Sequence, residues 1–265
     1  MKRLTLSAIT LVALLGFGKA RVTADESFIS QKLGVLWAAA ASMTMPSVAP
    51  TEHYPWRTQI VTTTFWVGES TTKNNPVPNR SSCWDPVWAR NYGGTDDPDR
   101  GRRSNYIPVK FTPKQNPFYC ALPYNDTEHG QTKPEAYKVI PWFKKSFQQS
   151  GHSVLKDRWI AIRFKGKTAY AQWEDAGPFR TDHWQYVFGN ERPKPNLNKG
   201  AGLDVSPAVR DYLGMNDTDV TDWRFVDFSE VPNGPWAQYG SNNTFVLNAR
   251  GVKTVVATVG SDLVQ

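Results

Sequence analysis

The chain reads as an all-β protein with short helices. From about Tyr54 onward, short β-branched and aromatic runs alternate with turn-forming residues, and the sequence holds 19 Gly and 19 Pro. A hairpin signature adds a third observation. Arg158 to Phe164 places Ile160, Ile162 and Phe164 on one face, Lys165-Gly166 supplies a turn, and Thr168 to Glu174 returns as the partner strand.

The N-terminus has a different character. Lys2 and Arg3 precede the apolar stretch Leu4 to Phe17, and small residues follow at Gly18, Ala20 and Ala24, the pattern of a secretory signal over residues 1–24. The apolar stretch falls short of the ~20 residues that span a bilayer, so a secreted or periplasmic protein without stable membrane insertion is expected. Cleavage after Ala24 removes Lys2, Arg3, Lys19 and Arg21 and no acid, which lowers the formal charge of +7 to +3. Such a balance lacks the concentrated basic face of a nucleic-acid binder. Residues 25–52 form an N-terminal extension, whose run Leu33 to Met45 is again too short to span.

The first strong strand is Gln59 to Trp66. Residues 70–117, dominated by Asn, Pro, Arg, Asp and Gly, read as a long surface excursion, and a loop of that length is usually functional or mobile. Asn116 to Asp126 supplies a short strand that runs into a turn. Pro141 to Gln149 reads as a short helix with Pro in its first turn, stopped by Gly151. After the hairpin, Ser206 as N-cap, Pro207 at the first helical position and Gly214 past the end define a helix over Pro207 to Leu213. Trp223 to Phe228, Thr244 to Leu247 and Thr254 to Val259 complete the expected strands. Residues 53–240 then form one domain, and 241–265 add C-terminal strands.

Cys83 and Cys120 are the two thiols. In an oxidising compartment they could close a 38-residue loop, worth roughly 4 kcal/mol by chain entropy, or stand as two separate buried thiols. His53, His129, His152 and His183 form no HExxH, and no CxxC occurs, so neither a metal nor another cofactor is expected. Asn-x-Ser/Thr sequons start at Asn79, Asn125, Asn216 and Asn242.

Two segments carry a resemblance. Ala171-Gln-Trp-Glu-Asp-Ala-Gly-Pro-Phe179, followed by Gly202-Leu-Asp-Val-Ser-Pro-Ala-Val-Arg-Asp-Tyr-Leu-Gly214, resembles the signature of the rare lipoprotein A, barwin-like endoglucanase and expansin superfamily. The resemblance implies a six-stranded double-psi β-barrel with long loop insertions. It covers Arg158 to Gly214 well and the upstream half by topology alone. By analogy with the lipoprotein group, Asp175 occupies the position needed for cutting peptidoglycan glycan strands. By analogy with the endoglucanases and expansins, Asp204 faces the sugar groove. The lipoprotein group's second acidic motif has no clean counterpart, and Asp126, Glu128 and His129 form the nearest cluster. The endoglucanase strand that supplies a general base is echoed by Thr63-Thr-Phe-Trp-Val67, where Val replaces the acid and Glu69 is the nearest carboxylate.

Glycosidic cleavage needs a protonated carboxyl at the leaving oxygen. An inverting hydrolase adds a second carboxylate ~6.5–9.5 Å away, whereas a lytic transglycosylase manages with one. Asp175, Asp204 and Asp126 are therefore the catalytic candidates, with Asp175 preferred. Glu174 falls on the opposite face of a regular strand. Aromatic faces pack against sugar rings, so Trp66, Trp84, Trp88, Trp173 and Trp184 are candidate groove walls, with Tyr124, His129 and Glu69 as further substrate contacts. Arg100, Arg102 and Arg103 could touch an anionic polymer. The expected partner is a polysaccharide, either peptidoglycan or a plant-type glucan, acted on by a monomer. A non-catalytic, expansin-like wall-binding module is the competing reading. An aspartic protease is excluded, because Asp175-Ala-Gly177 has no second Asp-Thr/Ser-Gly partner.

Overall fold

Six strands close into a barrel in a computed structural model that describes residues 54–73 and 75–252. In chain order they are β1 (Arg57–Thr64), β2 (Tyr119–Leu122), β3 (Arg158–Phe164), β4 (Lys167–Ala176), β5 (Leu203–Val205) and β6 (Thr218–Phe225). Around the barrel the order is β1, β6, β3, β4, β2, β5 and back to β1. Pairing is mixed. β1 with β5 and β2 with β4 run parallel, and the other four pairs are antiparallel. This closed mixed barrel is compatible with a double-psi arrangement.

The β3–β4 hairpin forms as the sequence indicates. Lys165 and Gly166 both adopt positive φ, 44° and 79°, as a two-residue turn between right-twisted strands requires. Ile160, Ile162, Ala169, Ala171, Leu203, Val205 and Trp223 fill the core. Burial on β3 is not confined to one face, however. Trp159 and Ala161 are also buried, because the C-terminal segment covers the other side, with Phe228 and Phe245 against the Trp159 ring.

The helix after β5, α5 (Pro207–Leu213), follows four earlier short ones: α1 (Trp88–Tyr92), α2 (Ala136–Val139), α3 (Phe143–Ser146) and α4 (Trp184–Val187). Its punctuation holds as expected. Ser206 Oγ accepts from the Val209 N–H at 3.3 Å, and Gly214 turns left-handed at φ 76°.

The strand expected over Trp223 to Phe228 instead runs Thr218–Phe225, with Phe228 opening a short 3-10 turn, and three further expectations need correction. Residues 244–247 are not a strand: Thr244–Ala249 is a helix, α6, because the Asn243 side chain caps the Phe245 N–H at 3.0 Å. Its first residue is also tied to β3, where Trp159 Nε1 donates to Thr244 Oγ1 at 3.0 Å. Thr254 to Val259 and the N-terminal signal and extension lie outside the described residues. The helix expected from Pro141 to Gln149 is the single turn α3, because Phe147 goes extended and stacks its ring on Phe143 at 5.0 Å.

The third correction concerns residues 70–117, which are more than a surface excursion. Trp88 and Tyr92 on α1 pack with Phe65, Val67, Tyr119 and Ala121 into a second, smaller core. Beneath it, the fully buried Asp96 pairs with the Arg103 guanidinium and accepts from Tyr119 Oη at 2.9 Å. The backbone N–H of Asp96 donates to Val67 O at 2.9 Å, fixing the segment to the end of β1. The arginines are consumed here as well: Arg100 reaches Met215 O and Asp211, and Arg102 pairs with Asp97 at 2.9 Å.

Candidate functional site

Register builds the site. Thr63 on β1 is opposite Asp204 on β5, Asp204 is opposite Ala121 on β2, and Ala121 is opposite Asp175 on β4. Four neighbouring strands thus bring Thr63, Asp204, Ala121 and Asp175 into one row at the floor of a cleft of about 480 Å³. The small Ala121 side chain leaves the space between the two acids open. The β2–β4 register slips between Cys120 and Ala121, which aligns Ala121 with Asp175 rather than with Glu174.

Asp204 is half-buried and accepts a hydrogen bond from the Thr63 hydroxyl. Loss of water around it raises its carboxyl to about 7, against the pull of Thr63 and with help from the negative charges of Glu69 and Asp175. Its other oxygen lies near Gly177, where an added Cβ would stand 3.7 Å from Oδ2. Asp175 is more enclosed. Its Oδ1 accepts from the backbone N–H of Cys83 and of Ala176, both at 2.8 Å, and burial raises it to about 6 in spite of those donors. It fastens the 79–84 loop over the cleft across 92 residues of sequence.

Glu69 enters the same cleft from the loop after β1. Its Oε2 accepts from Asn79 Nδ2 at 2.9 Å, and burial raises its carboxyl to about 7. Val67, where the endoglucanase pattern would place an acid, is fully buried in the second core. The first acid after β1 that reaches the cleft is thus two residues later. Asn79 turns its amide into this site, so that sequon sits in the cleft wall.

The remaining predicted residues lie elsewhere. Asp126 is fully buried away from the cleft and accepts from the Val154 N–H at 2.7 Å, supporting the 153–155 loop. His129 is exposed at the tip of a small hairpin, at φ 48°. Tyr124 is buried, with its hydroxyl 3.4 Å from Glu135. Trp173 is a core residue whose Nε1 donates to Asp175 O at 2.7 Å, and Trp88 belongs to the second core. Trp84 packs edge-on against Trp173, Trp184 packs partly buried on the main core, and Trp66 is half-buried outside the cleft wall. Glu174 faces away from the acids as alternation requires, pairing with Lys156 at 3.1 Å.

The aromatic groove wall is thus corrected. Phe65 and Phe179 are the aromatic residues that line the cleft, and Thr, Ser and Asn are most of its polar lining residues. Strand tryptophans bury their large apolar area in the barrel, which leaves the loops to build the walls. Phe179 was visible in the Gly-Pro-Phe motif, but nothing in composition separated it from the core aromatics.

Cys83 and Cys120 are both free. Cys120 points into the barrel core and Ala121, its neighbour on β2, toward the second core and the cleft. Cys83 lies on the cleft side against Asp175, so strand alternation keeps the two thiols apart. Desolvation and the Asp175 charge push the Cys83 thiol up to about 12. Among the described residues no three His, Cys, Asp or Glu converge as a metal-ligand group, and no helix is long and apolar enough to cross a membrane. No family model matches the chain, and no curated protein matches it either.

Proposed function

We propose that the protein is an exported polysaccharide-cleaving enzyme of the double-psi barrel superfamily that it resembles, with Asp204 as the general acid. The observation that carries this reading is the row Thr63, Asp204, Ala121, Asp175 at the floor of an open cleft. A carboxyl raised to about 7 keeps its proton in about half of the molecules at neutral pH and can hand it to a leaving glycosidic oxygen. Thr63 holds one oxygen of Asp204 and leaves the other for the proton. Asp175 moves to second place, because one of its oxygens is already committed to two backbone donors.

Two routes fit. In the first, Asp204 protonates the leaving oxygen and its carboxylate then accepts the proton of the sugar's own 6-hydroxyl, which closes on the anomeric carbon. In the second, a water attacks instead, and Glu69 or Asp175 takes its proton. Peptidoglycan is the preferred substrate and a β-glucan the alternative.

Mass spectrometry of soluble products, after incubating the mature protein with peptidoglycan or with β-glucans, tests the reading. Anhydro ends would establish the first route and reducing ends the second, and Asp204→Asn should lower either by about 10²–10⁴-fold. Retention on a polymer without any product would replace the enzyme by the expansin-like binding module.

A further inference from the structure

The groove does not end at the carboxylates. Phe179 lines the acid-bearing cleft and also a shallower depression beyond it, walled by Arg180, Pro195 and Leu197. The same two loops therefore border both depressions, with Asn198 on the first and Leu197 on the second. The second wall is preformed, since Asn196 Oδ1 accepts from the backbone N–H of Asn198, Gly200 and Ala201 at 3.0–3.1 Å.

Phe179 is held in an unusual way. Its φ is +59°, and the Arg180 N–H donates to Pro178 O across it at 2.7 Å, a tight γ-turn that is strained for a bulky side chain. Strain of this kind clusters at ligand clamps and active sites. Phe179 is 39% exposed where the two depressions meet, which offers an aromatic side chain to whatever crosses between them.

The charge reverses at the same point. The charged side chains that line the first cleft are all acidic: Glu69, Asp175, Asp204 and Asp217. Beyond Phe179, Arg180 lines the depression and Lys199 its continuation. Arg180 pairs with Asp182 at 3.9 Å, and both side chains are exposed, so this contact competes weakly for the guanidinium.

We propose that this second depression is a subsite for a carboxylate-bearing sugar, whose ring lies on Phe179 and whose carboxylate pairs with Arg180. The proposal rests on the polysaccharide reading and deepens it from a glycan in general to an anionic one. A planar, forked guanidinium matches a carboxylate bidentately, whereas the first cleft has no cationic side chain in its lining to pair with one.

The test uses the full chain and two soluble hexamers that differ in one group. One is β-1,4-linked N-acetylglucosamine; in the other, alternate rings carry a 3-O-lactyl carboxylate. At low salt the carboxylated hexamer should bind more tightly. Arg180→Gln should erase that preference, a two- to fivefold loss, and leave the neutral hexamer unchanged. Phe179→Ala should weaken both. Phe179→Gly should weaken both without lowering Tm, because glycine adopts this φ freely. The proposal is overturned if Arg180→Gln keeps the preference or if Phe179→Ala binds like the parent. Failure of both hexamers to bind the parent protein would overturn the polysaccharide reading along with it.

Discussion

Asp204 and Asp175 stand in one cross-strand row of the barrel, separated by the strand that carries Ala121. With neighbouring strands about 4.8 Å apart, their Cα atoms are about 10 Å from each other. A methyl group between two carboxyls leaves room for a substrate atom or a water molecule. A larger residue at 121 would close that gap.

Catalysis is expected to depend on Asp204 more than on Asp175. Asp204→Asn should lower turnover of the cleaved polymer by about 10²–10⁴-fold, the usual worth of a general acid, whereas Asp175→Asn should leave measurable activity. Activity should also fall as pH rises above about 7, where Asp204 loses its proton. Initial rates of product release from pH 5 to 9 check both; equal loss in the two variants would reverse the assignment.

The three cleft acids should link stability to pH in the opposite sense from a salt-bridged carboxylate. Glu69, Asp175 and Asp204 have folded values of about 7, 6 and 7, all above those of free carboxyls. The native state therefore keeps protons that the unfolded chain releases. The contribution of these groups is neutral below about pH 4, becomes unfavourable as pH rises to about 7, and is level beyond it. Urea unfolding should find Asp204→Asn equal to the parent at pH 4 and about 1–3 kcal/mol more stable at pH 8.

Asp175 has a separable structural task. Asp175→Asn keeps an oxygen for the Cys83 and Ala176 N–H groups, while Asp175→Ala leaves both donors without it. The alanine variant should lose about 2 kcal/mol relative to the asparagine variant in denaturant midpoints.

The second core depends on its buried ion pair. Asp96→Ala removes the buried carboxylate from the Arg103 guanidinium, which keeps Asp211 at 3.3 Å and the carbonyls of Asp97 and Tyr106, and should cost about 3 kcal/mol, whereas Asp96→Ala with Arg103→Met should recover part of that loss. Comparing the single and double variants by thermal unfolding measures the recovery.

Thiol chemistry offers a simple check on the cysteines. Two thiols should titrate in denaturant without reductant. In the native protein Cys120 should be silent because it is buried, and Cys83, although exposed, should be slow at pH 8, because lost water around its sulfur and the Asp175 charge hold the thiol neutral.

Local signals settled much of this protein in advance. The β3–β4 hairpin and the capped α5 follow from turn and cap residues acting within a few positions of each other, and so do not depend on the rest of the chain. The Asp-x-Gly-Pro-Phe and Asp-x-Ser-Pro stretches likewise mark Asp175 and Asp204. What periodicity could not supply was which aromatics turn inward, because Trp88 and Trp173 carry the same local pattern whether they meet a core or a cleft. Their burial and the enclosure of Asp126 come from segments far away in the chain, whereas the helix at Thr244–Ala249 starts from the local Asn243 cap and is then tied to β3 by Trp159. The row of acids is likewise a product of register between four strands, and only closure of the barrel puts Thr63, 141 residues before Asp204, against its carboxyl. Sequence fixes what each residue can do over a few positions; the desolvation that raises a carboxyl is the sum of all that packs around it.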